Sequence, residues 1–230
     1  MEGRLEHGFR ARFRALASLL ARPDPDAEAD RLIREVRATA SHGAAQTRAL
    51  VALWSREMSA AREALGRRGF ALESDRTPRF LCDPSLGGLA RWLRAAGFEA
   101  DVAAGVPGHR LPDEALRLGR VLLTTEAEVL DRRIVADGSL VVVWVPSALT
   151  MSEQLRMVAL DLGLTLREPR CMGCGGALVK TAKDAVRSRI PPRTALWRDE
   201  YFVCSSCDRL FWQGTHWQRI ARTLAGALPR

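Results

Sequence analysis

Lysine is nearly missing from this chain of 230 residues: of its 35 basic side chains only Lys180 and Lys183 are lysine, and the rest are arginine. Long apolar runs are missing too. The longest, such as Leu140 to Val145, extend for a handful of residues, well short of the ~20 that a membrane-spanning helix needs. Arginine punctuates the first twenty residues too often for them to form the apolar centre of a signal peptide. There is no internal repeat. A composition of 47% hydrophobic and 27% charged residues excludes wholesale disorder, collagen and low-complexity polymers. The expectation is a soluble, cytoplasmic chain of one or two domains, long enough to bury a real core.

What charge there is falls unevenly. Residues 1–79 carry a net +4, residues 80–166 a net −3, and residues 167–230 a net +7. An acidic middle between basic ends suits a protein that grips a polyanion and offers carboxylates beside it. Solvated surface charge is the plainer alternative.

The cysteines are few but ordered. Cys171-Met-Gly-Cys174 and Cys204-Ser-Ser-Cys207 are two C-x-x-C knuckles separated by 29 residues. Such a turn aims two sulfurs at one point, and two turns complete a tetrahedron around zinc at about 2.3 Å per Zn–S bond. Four protein ligands close the site, so its role is expected to be structural. A redox pair is disfavoured, because neither knuckle opens a helix after a strand. Cys82 stands alone in an apolar run and reads as a small buried residue.

Hydrophobic periodicity divides the chain into three textures. Leu5, Phe9, Phe13, Leu16 and Leu20 recur at helical spacing, and a second helix carries Leu32, Ile33 and Val36. A third opens at Ser41 and ends at Arg67-Arg68-Gly69, with Leu50, Leu53, Trp54, Met58, Ala61 and Leu65 along one face. These helices form a small bundle or an arm docked on the rest, and offer a face for a possible protein partner. Phe70 to Pro78 reads as a linker. From Arg79 to Leu162 short apolar strands (79–82, 98–102, 121–124, 140–145) alternate with helices (85–97, 111–118, 126–134, 152–162). That pattern predicts a parallel sheet with helices on both faces, whose ligands collect at the carboxyl ends of the strands. Residues 167–230 return to short pieces around the knuckles, the layout of a zinc ribbon with a last helix.

Asp83 ends the first strand, Glu126 follows the third, and Asp131 lies one turn further on. Converging carboxylates suit Mg²⁺ or Mn²⁺, which activate water and stabilise a leaving oxygen in phosphodiester cleavage. The alternative is local: Asp83 caps the following helix and Glu126 occupies a helix first turn. Arg91 and Arg94, on the helix after Asp83, could hold phosphates or simply face solvent. His216 could contact RNA or buttress the zinc thiolates. Trp217, with Phe211 and Trp212, could stack on bases or fill the ribbon core.

Five separated motifs occur in order: Asp83-Pro-Ser-Leu-Gly-Gly-Leu-Ala-Arg-Trp-Leu-Arg-Ala-Ala-Gly-Phe98, Gly119-Arg-Val-Leu-Leu-Thr-Thr-Glu126, Glu153-Gln-Leu-Arg156, Arg170-Cys-Met-Gly-Cys174 and Phe211-Trp-Gln-Gly-Thr-His216. Together they resemble the Mut-seven C-terminal RNase domain family over about residues 79–220. The resemblance implies a PIN-like nuclease fold at 79–166 and a four-cysteine zinc ribbon at 167–230. Residues 1–78 are left as a helical extension outside the family pattern. It also implies a metal-dependent ribonuclease with Asp83 and Glu126 at the cation, aided by Asp131 or Asp113. The chain departs from the pattern at its chemistry. The family's Leu-Leu-Thr-Arg-Asp is here Leu122-Leu-Thr-Thr-Glu126. Gly108 stands where a further aspartate is expected, with Asp113 its only nearby substitute, and Gly175 replaces an asparagine. An RNA- or ribonucleoprotein-binding module without hydrolysis is therefore the second expectation, and a toxin-like nuclease held by a partner a third.

Overall fold

The computed structural model describes residues 2–40, 43–67 and 77–228. The expected linker over 70–78 lies almost wholly outside these, as do Ser41 and the Arg68-Gly69 end of the third helix. Three helices open the chain: α1 (Glu2–Leu19), α2 (Pro25–Thr39) and α3 (Gly43–Arg67). Asp24 caps α2, its carboxylate accepting from the Ala27 amide at 3.0 Å, and Pro25 fills the first position, where no N–H is needed.

The alternating middle then supplies β1 (Arg79–Cys82), α4 (Gly87–Ala95), β2 (Glu99–Val102), α5 (Leu111–Leu118) and β3 (Val121–Thr124), followed by α6 (Arg133–Ala136), β4 (Val142–Trp144) and α7 (Met151–Leu162). The strands form one sheet in the order β2-β1-β3-β4, every pair parallel. The expected single helix over 126–134 is instead a 3-10 turn, Ala127–Asp131, and the short α6. Arg132 separates them in an extended conformation (ψ 140°). Beyond residue 170 an antiparallel sheet, β5-β6-β7, is built from β5 (Leu178–Thr181), β6 (Tyr201–Cys204) and β7 (Leu210–Trp212). The short α8 (Pro192–Trp197) precedes β6, and α9 (Thr215–Ala227) ends the chain. No described helix is long and apolar enough to cross a membrane.

Alternation along the strands sorts the core. Phe80, Cys82, Leu123 and Val143 pack with Leu89 and Leu93 of α4, Leu155 and Val158 of α7, and Leu224 of α9. Leu81 and Leu122 point the other way and meet Leu111 and Ala115 of α5. Helices thus cover both faces. Cys82 is fully buried, and burial pushes its thiol up to about 12, which removes it as a nucleophile. The Glu153-Gln-Leu-Arg156 motif is architectural: Glu153 completes a capping box with Thr150, and Arg156 donates to the Gly226 carbonyl of α9 at 3.1 Å.

The apolar stripes of the N-terminal helices are taken up within the chain itself. Phe9, Phe13, Ile33, Leu50 and Trp54 share a core with Trp144 of β4 and Met157 of α7. Gly8 lies against the Trp144 indole so closely that a Cβ there would meet the ring at 2.6 Å. Arg12 and Asp161, each with its side chain only 8% exposed, form an ion pair inside this junction. Arg12 also donates to the Trp144 carbonyl at 2.7 Å, and the Trp54 indole donates to Asp161 at 2.7 Å. Burial pushes the Asp161 carboxyl up and the Arg12 guanidinium down from their ordinary values, opposed by the attraction of each for the other. Removing one member of such a pair strands the other charge. Asp161→Ala is expected to cost about 3–5 kcal/mol, read as a fall in the denaturant midpoint; a midpoint like that of the parent would refute the pairing.

Candidate functional site

The strand order puts β1 and β3 side by side at the centre of the sheet, so the residues leaving their carboxyl ends are neighbours. Asp83, 4% exposed, leaves β1 there and Glu126 follows β3. One oxygen of the Asp83 carboxylate accepts from the Ser85 amide (2.9 Å) and the Ser85 hydroxyl. The other accepts from the Thr125 amide (2.6 Å) and the Thr125 hydroxyl (3.2 Å). A carboxylate offers about four lone-pair directions, and here each has a donor. Asp83 therefore both caps the turn Pro84–Leu86 and ties the β1 end to the β3 end. Thr125, standing where the family pattern has arginine, supplies two of the four donors.

Glu126 is exposed and has no side-chain partner among the described residues. The other two acids face elsewhere. Asp131 pairs with α1, its carboxylate 2.8 Å from His7 and 3.8 Å from Arg14. Asp113 is exposed in the first turn of α5, 4.0 Å from Arg132. Gly108 opens a 3-10 turn, Gly108–Arg110. Among the described residues no three carboxylates bring their oxygens within reach of one ion.

The four cysteines do meet. The ligand atoms of Cys171, Cys174, Cys204 and Cys207 all lie within 4.8 Å of one another, with Cys174–Cys204 at 3.4 Å and Cys171–Cys207 at 3.7 Å. A zinc tetrathiolate with ~2.3 Å bonds has sulfurs about 3.8 Å apart, so this donor set fits such an ion. Amides of Gly176 and Ser206 point at the Cys174 and Cys204 sulfurs at 3.5 and 3.4 Å. Burial disfavours the Cys204 thiolate, but the amides of Cys207 and Ser206 and the neighbouring sulfurs outweigh it and bring the thiol down to about 6. A Cβ at Gly176 would fall 2.7 Å from the Cys204 sulfur, so this position admits only glycine. Gly175 has φ +82°, a left-handed backbone that asparagine also tolerates. Its departure from the family pattern thus preserves the knuckle.

Arg94, expected beside a phosphate, is instead buried in a structural clamp. Its Nε donates to the Ala100 carbonyl of β2 (2.6 Å). Its Nη1 donates to the Gly173 and Met172 carbonyls of the first knuckle (2.8 and 3.2 Å), and its own carbonyl accepts from the Arg170 amide. The clamp fixes the ribbon against α4 and leaves a cleft of about 730 Å³ between them. Three expected RNA contacts line that cleft: Arg91, His216 and Trp217. His216 is exposed and donates to no cysteine sulfur. Trp217 stacks on Phe202 with ring centroids 6.0 Å apart and planes at 14°. Phe211 and Trp212, the other aromatics that could stack on bases, line the cleft as well, and so does Arg209, which was not singled out; adjacency to the second knuckle was the available signal.

A parallel α/β sheet with acids at its carboxyl edge, joined to a four-cysteine ribbon, describes a nuclease-like module. The Mut7-C RNAse domain model matches residues 78–224, well over half of the chain, and the chain belongs to that family. Comparison with curated proteins and with solved structures finds no match.

Metal analysis of the purified chain should find one zinc per molecule, and Cys204→Ser should lose it together with protection of the β5–β7 amides from exchange. Asp83→Asn turns an NH₂ group toward either the Ser85 or the Thr125 amide. It should lower stability by about 1–3 kcal/mol, and an unchanged unfolding midpoint would contradict the four-donor arrangement.

Proposed function

We propose that the chain is a divalent-metal-dependent ribonuclease acting at the edge formed by Asp83 and Glu126. The observation that carries this reading is the direct tie between the ends of β1 and β3, in which the amide next to Glu126 in sequence binds Asp83. That tie holds an unpartnered Glu126 beside the family's first-strand acid. Mg²⁺ or Mn²⁺, when bound, would supply activation of water and neutralisation of the leaving oxygen. Glu126 would provide the oxygen ligand still free to turn toward it, while Asp83 holds the loop that aims Glu126. Basic residues of the ribbon support RNA as the polyanion, because phosphate contacts carry affinity without sequence preference.

A second reading is an RNA-binding module without hydrolysis. The saturated Asp83 carboxylate favours it, as do the engagements of Asp131 with α1 and of Asp113 with Arg132. The apolar stripes of α1–α3 pack in the chain's own core, so a protein partner of these helices would meet their outer, polar faces.

Glu126→Gln separates the two readings, because an exposed and unpartnered side chain can change without disturbing the fold. Purified protein should degrade unstructured RNA in Mn²⁺, and Glu126→Gln should slow this by ~10²-fold or more. Cleavage that survives Glu126→Gln undiminished would sink the ribonuclease reading. RNA retention with no cleavage by the parent protein would establish the second.

A further inference from the structure

The cleft between α4 and the ribbon has a volume of about 730 Å³, and its chemistry is one-sided. Four arginines (Arg91, Arg167, Arg170 and Arg209) line it together with Trp212 and Trp217, and no aspartate or glutamate does. Two of these arginines are already engaged: Arg167 lies over the Phe98 ring, and Arg170 binds the Gly175 carbonyl and approaches Glu99 at 3.5 Å. Arg91 and Arg209 are exposed, and their guanidinium groups make neither a hydrogen bond nor an ion pair among the described residues. A ligand that answers to this lining has flat apolar surfaces for the indoles and negative charge for the free guanidinium groups. Unpaired nucleotides have both. A duplex hides its base faces in its own stack and is too broad for a cleft of about 730 Å³.

We propose that this cleft, rather than the acidic edge, is where the chain holds RNA. It takes up an unpaired segment whose bases stack on Trp217 and Trp212 and whose phosphates meet Arg91 and Arg209. This inference rests on RNA being the polyanion of the preceding reading. It adds a location distinct from the acids. Asp83 precedes α4, whereas of the two α4 residues that line the cleft Arg91 is the central residue of this nine-residue helix and Ala95 its last. At 1.5 Å per residue Arg91 lies about 6 Å and Ala95 about 12 Å beyond Gly87 along the axis. Holding and cutting then fall on different nucleotides, and affinity becomes independent of the acids.

The test uses the full chain carrying zinc, in the Glu126→Gln background so that the probe survives. The probe is a fluorescein-labelled oligoadenylate of about ten nucleotides, within the ~4–16 nucleotide site sizes of single-strand binders. Trp217→Ala should weaken binding about 5- to 150-fold, the range for loss of one stacked base. Arg91→Gln with Arg209→Gln should reduce the steepness of the log Kd against log salt plot by about 1.4, two phosphate contacts at ~0.7 each. The same RNA annealed to its complement should bind more weakly than the single strand. Trp217 also packs on Phe202, so if Trp217→Ala fails to retain zinc, the exposed arginine pair decides alone. Parent-like affinity and salt slope in the arginine variant, or equal binding of duplex, would overturn the cleft while leaving ribonuclease activity at Glu126 intact. A wild-type chain that neither cleaves nor binds RNA would overturn both.

Discussion

The buried guanidinium of Arg94 holds the two halves of the family module in one geometry. Its donors reach a β2 carbonyl on one side and two knuckle carbonyls on the other, so that sheet, α4 and ribbon share a single charged contact. A planar group with five N–H donors suits this task where an ammonium would not. Carbonyls accept from Nε and Nη1, and Asp101 at 3.6 Å from Nη2 supplies the balancing negative charge. The clamp bears on the cleft, because α4 and the first knuckle, which it joins, both line it.

Asp83 illustrates how one side chain can serve architecture and chemistry in competition. Its four donors come from residues two positions along the chain and from the neighbouring strand end. Each donor makes the loop more rigid and the carboxylate less available. The exposed Glu126, one residue beyond Thr125, has no such ties. The carboxyl edge of the sheet therefore carries a fixed acid after β1 and, among the described residues, an unpartnered one after β3.

Much of this was legible in the residues. The apolar runs 79–82 and 121–124 and the two knuckles announce their elements through local patterning, and the structure reproduces these strand limits. The helices at the start were legible as helices, but not their attachment. Burial of Phe9 and Trp54 against Trp144 is a contact across most of the chain, and period alone carries no information about which face meets which. Arg94 and Arg91 sit three residues apart on one helix, yet one is buried and the other exposed. Only the position of the first knuckle, some eighty residues on, decides between them. Asp131 is a similar case: it ends the 3-10 turn that replaces the helix expected over 126–134, and its carboxylate lies beside His7 of α1, a contact across more than a hundred residues that spacing does not show. The strand β5 was hidden by Lys180 and by the exposure of both its central residues, Val179 and Lys180, in a small sheet.

Gly8 against the Trp144 indole has a bearing on what the unit of this protein is. The family match begins at residue 78, but Trp144, Leu149 and Met157 belong to a core whose other half comes from residues 9–61. A clone trimmed to the homologous boundaries would lay that indole bare and leave Asp161 without either of its donors. The module matched by the family is thus not a detachable cassette. Its leading helices are inherited as part of the fold, and any graft, fusion or minimal version has to carry them along.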